Sequence, residues 1–170
     1  MAAANKSAKR NIPNTLAASK GKKVIIRNPQ ATRPWQHVLE PLSGYLQVGQ
    51  RLLQEKVEYG DAWNFGPSDE GSTTVEEVVK NVKDHWNNFE YEFNKELNQP
   101  HEARLLKLDC AKANKLLSWH EVWDSKKTFE KTVKWYKSFY EKQKVLTNLD
   151  LQDYIEDAYL KGLSWTSNYR

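Results

Sequence analysis

The longest helical periodicity in the sequence runs from Val38 to Leu53. Glycines at positions 44 and 49 interrupt this pattern without ending it. The spacing predicts one long helix, because its apolar residues recur at helical intervals: Val38, Leu39, Leu42, Tyr45, Leu46, Val48, Leu52 and Leu53.

Shorter patterned segments on either side alternate between strand and helix. Strands are predicted at 23–27, in the aromatic part of 62–71 before Gly66 and Pro67, at 89–94 and at 103–109. Helices are predicted at 13–21, 75–86, 109–118, 125–143 and 149–161, with Thr74 capping the second of these. Strands separated by helices indicate a small mixed α/β unit, in which we expect one small mixed sheet with helices, and one domain is the expectation for 170 residues.

Composition argues against several classes of protein. Mean hydropathy is −0.84, and no long apolar run offers a transmembrane helix. The first ten residues contain no apolar segment that could act as a secretory signal. Cys110 is the single cysteine, so neither an internal disulfide nor a thiolate metal cluster is expected. We therefore expect a soluble, cytoplasmic protein with no membrane partner.

The net charge of +4 conceals an uneven distribution of charge along the chain. No acidic residue precedes Glu40, whereas eight basic residues do: Lys6, Lys9, Arg10, Lys20, Lys22, Lys23, Arg27 and Arg33. Such a block either solvates a tail or attracts an anion such as a phosphate ester or a nucleic acid. Both interpretations stay open for Lys6 and Lys9, and the tail is less favoured for Arg27 and Arg33, which lie in patterned sequence.

Known catalytic motifs are absent from the sequence. It contains no G-x-G-x-x-G turn, Walker loop, G-x-S-x-G elbow or H-E-x-x-H helix. Two Y-x-x-x-K matches occur, at Tyr91 and Tyr140, where about one is expected by chance among eight tyrosines and 26 basic residues, so neither is interpreted as catalytic. The four histidines lack a second ligand at metal-binding spacing, which favours polar boundary positions over a metal site: His37, His85, His101 and His120.

Arg33 directly precedes the predicted long helix. The positive end of a helix and its exposed amide groups favour an anion, and an arginine there could hold a diphosphate with two hydrogen bonds. Alternatively, Pro34 and Trp35 only start the helix and Arg33 points into water. The residues alone favour neither interpretation.

Several blocks resemble a known family. They are "IIRNPQATRPWQHVLEPLSGYL", "AWNFGPSDE", "PHEARLLKLDCAKANKLLSWHEVW" and "TVKWYKSFY", in the same order and spacing. These blocks resemble the carboxyl-terminal part of the CDP-glucose 4,6-dehydratases, which are extended short-chain dehydrogenases/reductases. The resemblance runs from about Arg10 to near Tyr154.

The resemblance implies a lyase that uses NAD in an amino-terminal Rossmann domain and converts CDP-glucose to CDP-4-keto-6-deoxyglucose for dideoxysugar and O-antigen synthesis. The present chain resembles only the part that closes over the nucleotide sugar. Residues 1–8 have too little apolar content to pack, which predicts a disordered start or a replaced upstream connection. We expect a nucleotide-sugar-binding domain at 9–145 and a carboxyl-terminal helical tail at 146–170. The Rossmann domain is missing from this stretch, so we expect no cofactor in this chain and no activity alone.

The resemblance also assigns candidate substrate contacts residue by residue. Arg33 matches the arginine at the diphosphate, and Asn64 in "WNFG" matches an asparagine of the substrate turn. Arg10 and Asn11 match a segment that approaches the base, with Ile26 at the end of its strand also near the nucleotide. Arg104 matches an arginine that reaches the phosphates, with His101 and Glu102 in the same loop.

Three functions follow as alternatives. The chain is a truncated or split dehydratase that binds CDP-glucose and needs a separate Rossmann half. Otherwise it is an anion-binding or nucleic-acid-binding module using its basic amino-terminal block, although nucleic acid is the less favoured partner. The third alternative is a structural remnant whose exposed apolar surface, normally covered by the Rossmann half, drives association into homo-oligomers.

Overall fold

The computed structural model describes residues 19–68, 72–93 and 106–167. Four short strands lie in these ranges: β1 (Val24–Ile26), β2 (Thr32–Pro34), β3 (Ser72–Thr74) and β4 (Tyr91–Phe93). Five α-helices accompany them: α1 (Leu39–Leu53), α2 (Val75–His85), α3 (Ala111–Leu117), α4 (Ser125–Lys142) and α5 (Thr147–Leu160). The predicted mixed α/β class is confirmed.

The strands form two separate pairs among the described residues. β1 and β4 are parallel, with Val24 opposite Tyr91, and β2 and β3 are antiparallel, with Arg33 opposite Thr73. In β1 the side chains alternate between core and solvent, because Val24 and Ile26 are buried while Ile25 is exposed. A single mixed sheet was expected, and the described residues contain two two-stranded sheets instead.

The helices largely follow the sequence predictions. α1, α3, α4 and α5 lie where helices were expected, within two residues at each end. α2 starts at the predicted cap: the Thr74 hydroxyl accepts the Glu77 amide hydrogen and the Glu77 carboxylate accepts the Thr74 amide hydrogen. Of the helix expected at 13–21, residues 13–18 lie outside the described residues, as do the predicted disordered residues 1–8.

Two of the predicted strands are wrong in the residues that the structure describes. Residues 62–68 form an irregular segment, and the strand that precedes α2 is β3. The backbone carbonyl of Phe65 accepts a hydrogen bond from the Gln36 side chain rather than from a strand, and its ring packs against α1. Residues 106–109 are also irregular, and 103–105 lie outside the described part of the chain.

Among residues 19–68, 72–93 and 106–167, the core consists of three apolar clusters. The first joins β1, α2, β4 and α4 around Trp86 and Phe89. The second packs Phe65 and Trp119 against α3, and the third packs Trp123 against α5. Tyr140, one of the two tyrosines in a Y-x-x-x-K match, is packed against the first cluster.

Helix α1 has an unusual orientation, because most of its apolar side chains face solvent. Its buried positions are Glu40, Gly44 and Gln47, whereas Leu46 is 75 % exposed and Leu53 is 88 % exposed. The helix predicted from the apolar repeat is therefore confirmed, but the repeat marks its outer face. Within the described ranges, no helix is long and apolar enough to cross a membrane.

Candidate functional site

Arg33 lies in β2, five residues before Val38, the cap of α1. It is half-buried, and its Nη1 donates a hydrogen bond to the carbonyl oxygen of Thr32 at 2.9 Å. The antiparallel pairing with Thr73 holds the backbone of Arg33 in a strand. Arg33, the residue predicted to bind the diphosphate, therefore lies at the junction of β2 and α1.

Asn64 lies on the irregular segment next to this junction. The Gln36 Nε2 donates to the carbonyl oxygen of Phe65 at 2.9 Å, which ties the residues after Arg33 to the residue after Asn64. Asn64 itself is exposed, and its Nδ2 donates to the carbonyl oxygen of Asp109 at 3.2 Å. Two of the sequence-predicted site residues are thus carried by segments that are in contact.

A third segment, 106–110, closes this arrangement through Gly66. A Cβ at Gly66 would lie 2.9 Å from Leu108 Cδ1, and the Cys110 thiol lies 3.8 Å from the Gly66 carbonyl oxygen. Only a residue without a side chain permits such a close approach. The irregular segments 62–68 and 106–110 therefore pack directly on one another, beside the start of α1.

Six further residues were predicted to contact the nucleotide sugar. Arg10, Asn11, His101, Glu102 and Arg104 lie outside the described residues. Ile26 is 6 % exposed, and its side chain belongs to the first apolar cluster. Any part that Ile26 plays toward a nucleotide would thus involve its backbone rather than its side chain.

The amide groups at the start of α1 are already hydrogen-bonded. The Leu39 N–H donates to Nδ1 of His37 at 3.3 Å, and the Glu40 N–H donates to the His37 carbonyl oxygen at 3.0 Å. Pro41 has no N–H, and the Leu42 N–H donates to the Val38 carbonyl oxygen. No amide of this first turn is left for an anion, so a diphosphate here would depend on Arg33 rather than on the helix end.

His37 is a buried part of this helix start. Its ring lies edge-on to Trp123, with 4.8 Å between the ring centroids. Burial, together with the positive charge of Lys131, lowers the pKa of His37 to about 4. The imidazole is therefore neutral near neutral pH, with Nδ1 free to accept the Leu39 amide hydrogen.

Sequence reasoning missed Glu40, which is fully buried under the start of α1. Its carboxylate accepts the amide hydrogens of Val122 at 3.0 Å and Trp123 at 2.9 Å, and the hydroxyl of Tyr154 at 2.9 Å. Burial raises the pKa of Glu40, although these three donors act in the opposite direction. The sequence offered no local signal for it, because the buried positions Glu40, Gly44 and Gln47 lie outside the apolar repeat of α1.

A second buried charge cluster lies between α4 and α5. The Lys131 ammonium lies 3.4 Å from Asp150 Oδ1 and contacts Asp153, and it sits 5.3 Å from the Trp123 ring centroid. Burial works to lower the pKa of Lys131, but Asp153 and Asp150 outweigh this effect and hold it above its usual value. The cluster fixes Trp123, which in turn packs on His37.

Comparisons with known proteins identify a relative. No model of a protein family matches the chain. Over 149 residues the chain is 44 % identical to a CDP-glucose 4,6-dehydratase of Salmonella typhimurium. This match covers 86 % of the chain but only 42 % of the relative, so the chain spans less than half of the relative's length. The resemblance stated from the sequence is confirmed, and the partial coverage fits a chain that corresponds to one part of such an enzyme.

Proposed function

We propose that this chain is the nucleotide-sugar-binding part of a CDP-glucose 4,6-dehydratase, with CDP-glucose as its ligand. The observation that carries the proposal is the 44 % identity to the Salmonella enzyme over 86 % of the chain. The contact between the segments that carry Arg33 and Asn64 supports it, because one ligand could then touch both residues. As part of such an enzyme, the chain would act in the cytoplasm and serve deoxysugar and O-antigen synthesis.

Arg33 would bind the diphosphate of the nucleotide sugar. A guanidinium matches two phosphate oxygens with parallel hydrogen bonds, and the pairing of β2 with β3 holds the backbone that carries it. The Asn64 amide would add a neutral hydrogen bond from the neighbouring segment. Contacts from Arg10, Asn11, Ile26, His101, Glu102 and Arg104 are part of the same proposal.

The residues of this chain do not fit NAD, the cofactor of the family. A dinucleotide site needs a glycine-rich turn directly after a parallel strand. Of the parallel strands β1 and β4, the structure describes the residues that follow β1, and these are Arg27, Asn28 and Pro29. We therefore assign no hydride-transfer step to these residues and restrict the proposal to substrate binding.

Isothermal titration of the whole chain with CDP-glucose tests the proposal. We expect Arg33→Ala to weaken binding about 10- to 100-fold, because a charge-assisted pair of hydrogen bonds is lost. The matched control is Arg27→Ala, since Arg27 is an exposed arginine of the same basic block. CDP should retain most of the affinity, whereas glucose alone should bind poorly.

Two results would overturn the proposal. One is no binding of CDP-glucose by the wild-type chain at millimolar concentrations, in the presence or absence of the unmatched part of the Salmonella enzyme. The other is equal affinity in the wild type and Arg33→Ala. Circular dichroism of the variant separates a lost contact from a lost fold.

A further inference from the structure

A cavity of about 210 Å³ lies between the carboxyl-terminal half of α1 and the residues that follow α5, which form a short 3₁₀ helix (Ser164–Thr166). From Leu39 to Arg51, α1 rises by about 18 Å. The cavity is therefore at the other end of α1 from Arg33 and the proposed nucleotide-sugar site. Its wall consists of Gln47, Gln50, Arg51, Ser164, Trp165 and Ser167.

Arg51 is the one charged residue among the six that line this cavity. It is half-buried, yet its guanidinium makes no hydrogen bond or ion pair with a described residue. The negative end of a helix favours a cation, but the carbonyl oxygens of this last turn already have donors. The Gln54 and Lys56 amide hydrogens donate to the Arg51 carbonyl oxygen, and the Glu55 amide hydrogen donates to that of Leu52. The Arg51 side chain is thus not needed to cap α1 and is available to a ligand in the cavity.

The other lining residues supply further hydrogen-bonding groups, and none of them is acidic. Gln47 is only 9 % exposed, and its Nε2 donates to the Ser43 carbonyl oxygen at 3.4 Å. Its amide oxygen accepts no hydrogen bond from the part of the chain that the structure describes. The hydroxyls of Ser164 and Ser167 and the Nε1–H of Trp165 are likewise not bonded to any described group. This wall complements a ligand that has an oxyanion and at least one hydroxyl group.

We propose that the cavity binds a small phosphate monoester. Arg51 would hold two phosphate oxygens with parallel hydrogen bonds, while a hydroxyl of the ligand donates to the Gln47 oxygen. A phosphate presents three terminal oxygens, so it can also accept hydrogen bonds from Ser164, Ser167 and Trp165 on the opposite wall. A carboxylate has one oxygen fewer for donors that lie on two sides of the cavity.

The size and rigidity of the cavity support a small ligand. Its volume equals the share of about seven water molecules in the liquid and is below the roughly 300–1,000 Å³ of sites for drug-sized ligands. A nucleotide sugar would therefore not fit, and the inference does not rest on the proposed function. The Trp165 ring stacks on Tyr154, and the Tyr154 hydroxyl donates to the buried Glu40, so this wall is held in place without a ligand.

Titration of the whole ¹⁵N-labelled chain with glycerol 3-phosphate, followed by NMR of the indole N–H groups, tests the inference. The chain has seven tryptophans, and Trp165→Phe identifies the signal of Trp165. We expect this signal to shift and to saturate at millimolar concentrations of the monoester. Glycerol should leave it in place, because it has no charge for Arg51. Inorganic phosphate should bind more weakly, because it lacks the hydroxyl groups of the glycerol part.

Arg51→Gln should weaken the binding of glycerol 3-phosphate about 10- to 100-fold, because it removes the charge-assisted hydrogen bonds. The matched control is Arg27→Gln, since Arg27 is an exposed arginine outside the cavity. Arg33→Ala should also leave the affinity unchanged. Circular dichroism of each variant verifies that it is folded.

Four results would overturn the inference. They are the absence of a saturable shift at Trp165, an equal shift with glycerol, equal affinity in the wild type and Arg51→Gln, and loss of the shift in Arg33→Ala. The last result would assign the phosphate to the junction of β2 and α1 instead. Equal affinity for inorganic phosphate would overturn the assignment of a monoester and leave a site for free phosphate.

Discussion

Three polar side chains, half-buried Gln36 and buried His37 and Glu40, set the geometry of the backbone that leads from Arg33 into α1. Gln36 ties this backbone to Phe65, His37 binds the first amide of the helix, and Glu40 anchors its first turn to Val122 and Trp123. Each side chain replaces a contact that water or a backbone group would otherwise make. The position of Arg33 therefore depends on the protonation state and shape of its neighbours.

Acid should destabilise the protein through His37. The pKa of His37 is about 4 in the fold against 6.5 for an ordinary histidine, so the unfolded chain binds the proton more tightly. The stability that His37 contributes is present above about pH 6.5 and is lost as the pH falls toward 4. Between about pH 7.5 and 5 we expect a loss of about 2 kcal/mol, measured by urea denaturation.

His37→Gln should flatten this pH dependence, and the same substitution at the exposed His120 should leave it unchanged. An equal pH dependence in the wild type and His37→Gln would contradict the buried, neutral state of His37. The interval above about pH 5 is chosen because most carboxylates titrate below it.

Sequence reasoning finds a buried polar residue only when its partner is close along the chain. The Thr74 cap was predictable because Glu77 follows it at the spacing of a capping box. Glu40 was not, because its donors Val122, Trp123 and Tyr154 are 82, 83 and 114 residues away. Nothing in the local pattern distinguishes such an acid from one on a solvated face.

Among the secondary-structure elements, α1 packs on the rest of the domain through small and polar residues. Its two glycines show that one side of the helix is tightly packed and the other is open. A Cβ at Gly44 would lie 2.4 Å from the Phe65 ring, whereas a Cβ at Gly49 would meet nothing within 4 Å. Either change to alanine gains helix propensity, but only the first also creates a steric clash.

We expect Gly49→Ala to raise the free energy of unfolding by about 0.5–1 kcal/mol and Gly44→Ala to lower it by about 1–3 kcal/mol. Urea denaturation of the two variants beside the wild type measures both effects. The pair shares one helix and one substitution, so propensity alone would give the same sign twice. A stabilising Gly44→Ala would show that the packing of Phe65 under α1 is wrong.

Helices could be predicted from the sequence better than strands. The residues of α4 repeat at helical spacing along 18 consecutive positions, so local periodicity specifies it. The strands are three residues long, and their partners lie 38 to 67 residues away in the register. The aromatic run at 62–65 reads as a strand, but its backbone and its rings are engaged by α1 and by the side chain of Gln36.

At the scale of the whole molecule, Glu40 is the point where distant parts of the chain meet. It connects α1 to the segment before α4 and, through Tyr154, to α5. The Lys131 cluster adds a second link between α4 and α5. The boundary between a domain at 9–145 and a tail at 146–170 stays a prediction, but these links should make the two unfold together.

Glu40→Gln should therefore lower the free energy of unfolding of the whole molecule by about 2–4 kcal/mol. The amide keeps the size of the side chain but provides one acceptor oxygen for three donors, and it adds a donor of its own. Urea denaturation measures the loss, and hydrogen exchange should show that α5 loses protection to the same extent as α4. Glu58→Gln, at an exposed position, is the control.

A loss below about 1 kcal/mol, or a loss of protection confined to α5, would contradict this account.

The candidate site was predicted from the family resemblance rather than from a physical pattern in the sequence. Periodicity and charge left the role of Arg33 open, and the matched blocks assigned it to the diphosphate. All eight assigned contacts stay predictions, and five of them lie outside the described residues.

The outward apolar face of α1 also bears on how long the chain survives in a cell. Chaperones and proteases act on proteins whose apolar surface is open to water, and an exposed apolar face as long as a helix offers them such a signal. Polar substitutions at Leu46 and Leu53, its most exposed leucines, would weaken that signal and should lengthen the lifetime of the chain in a cell.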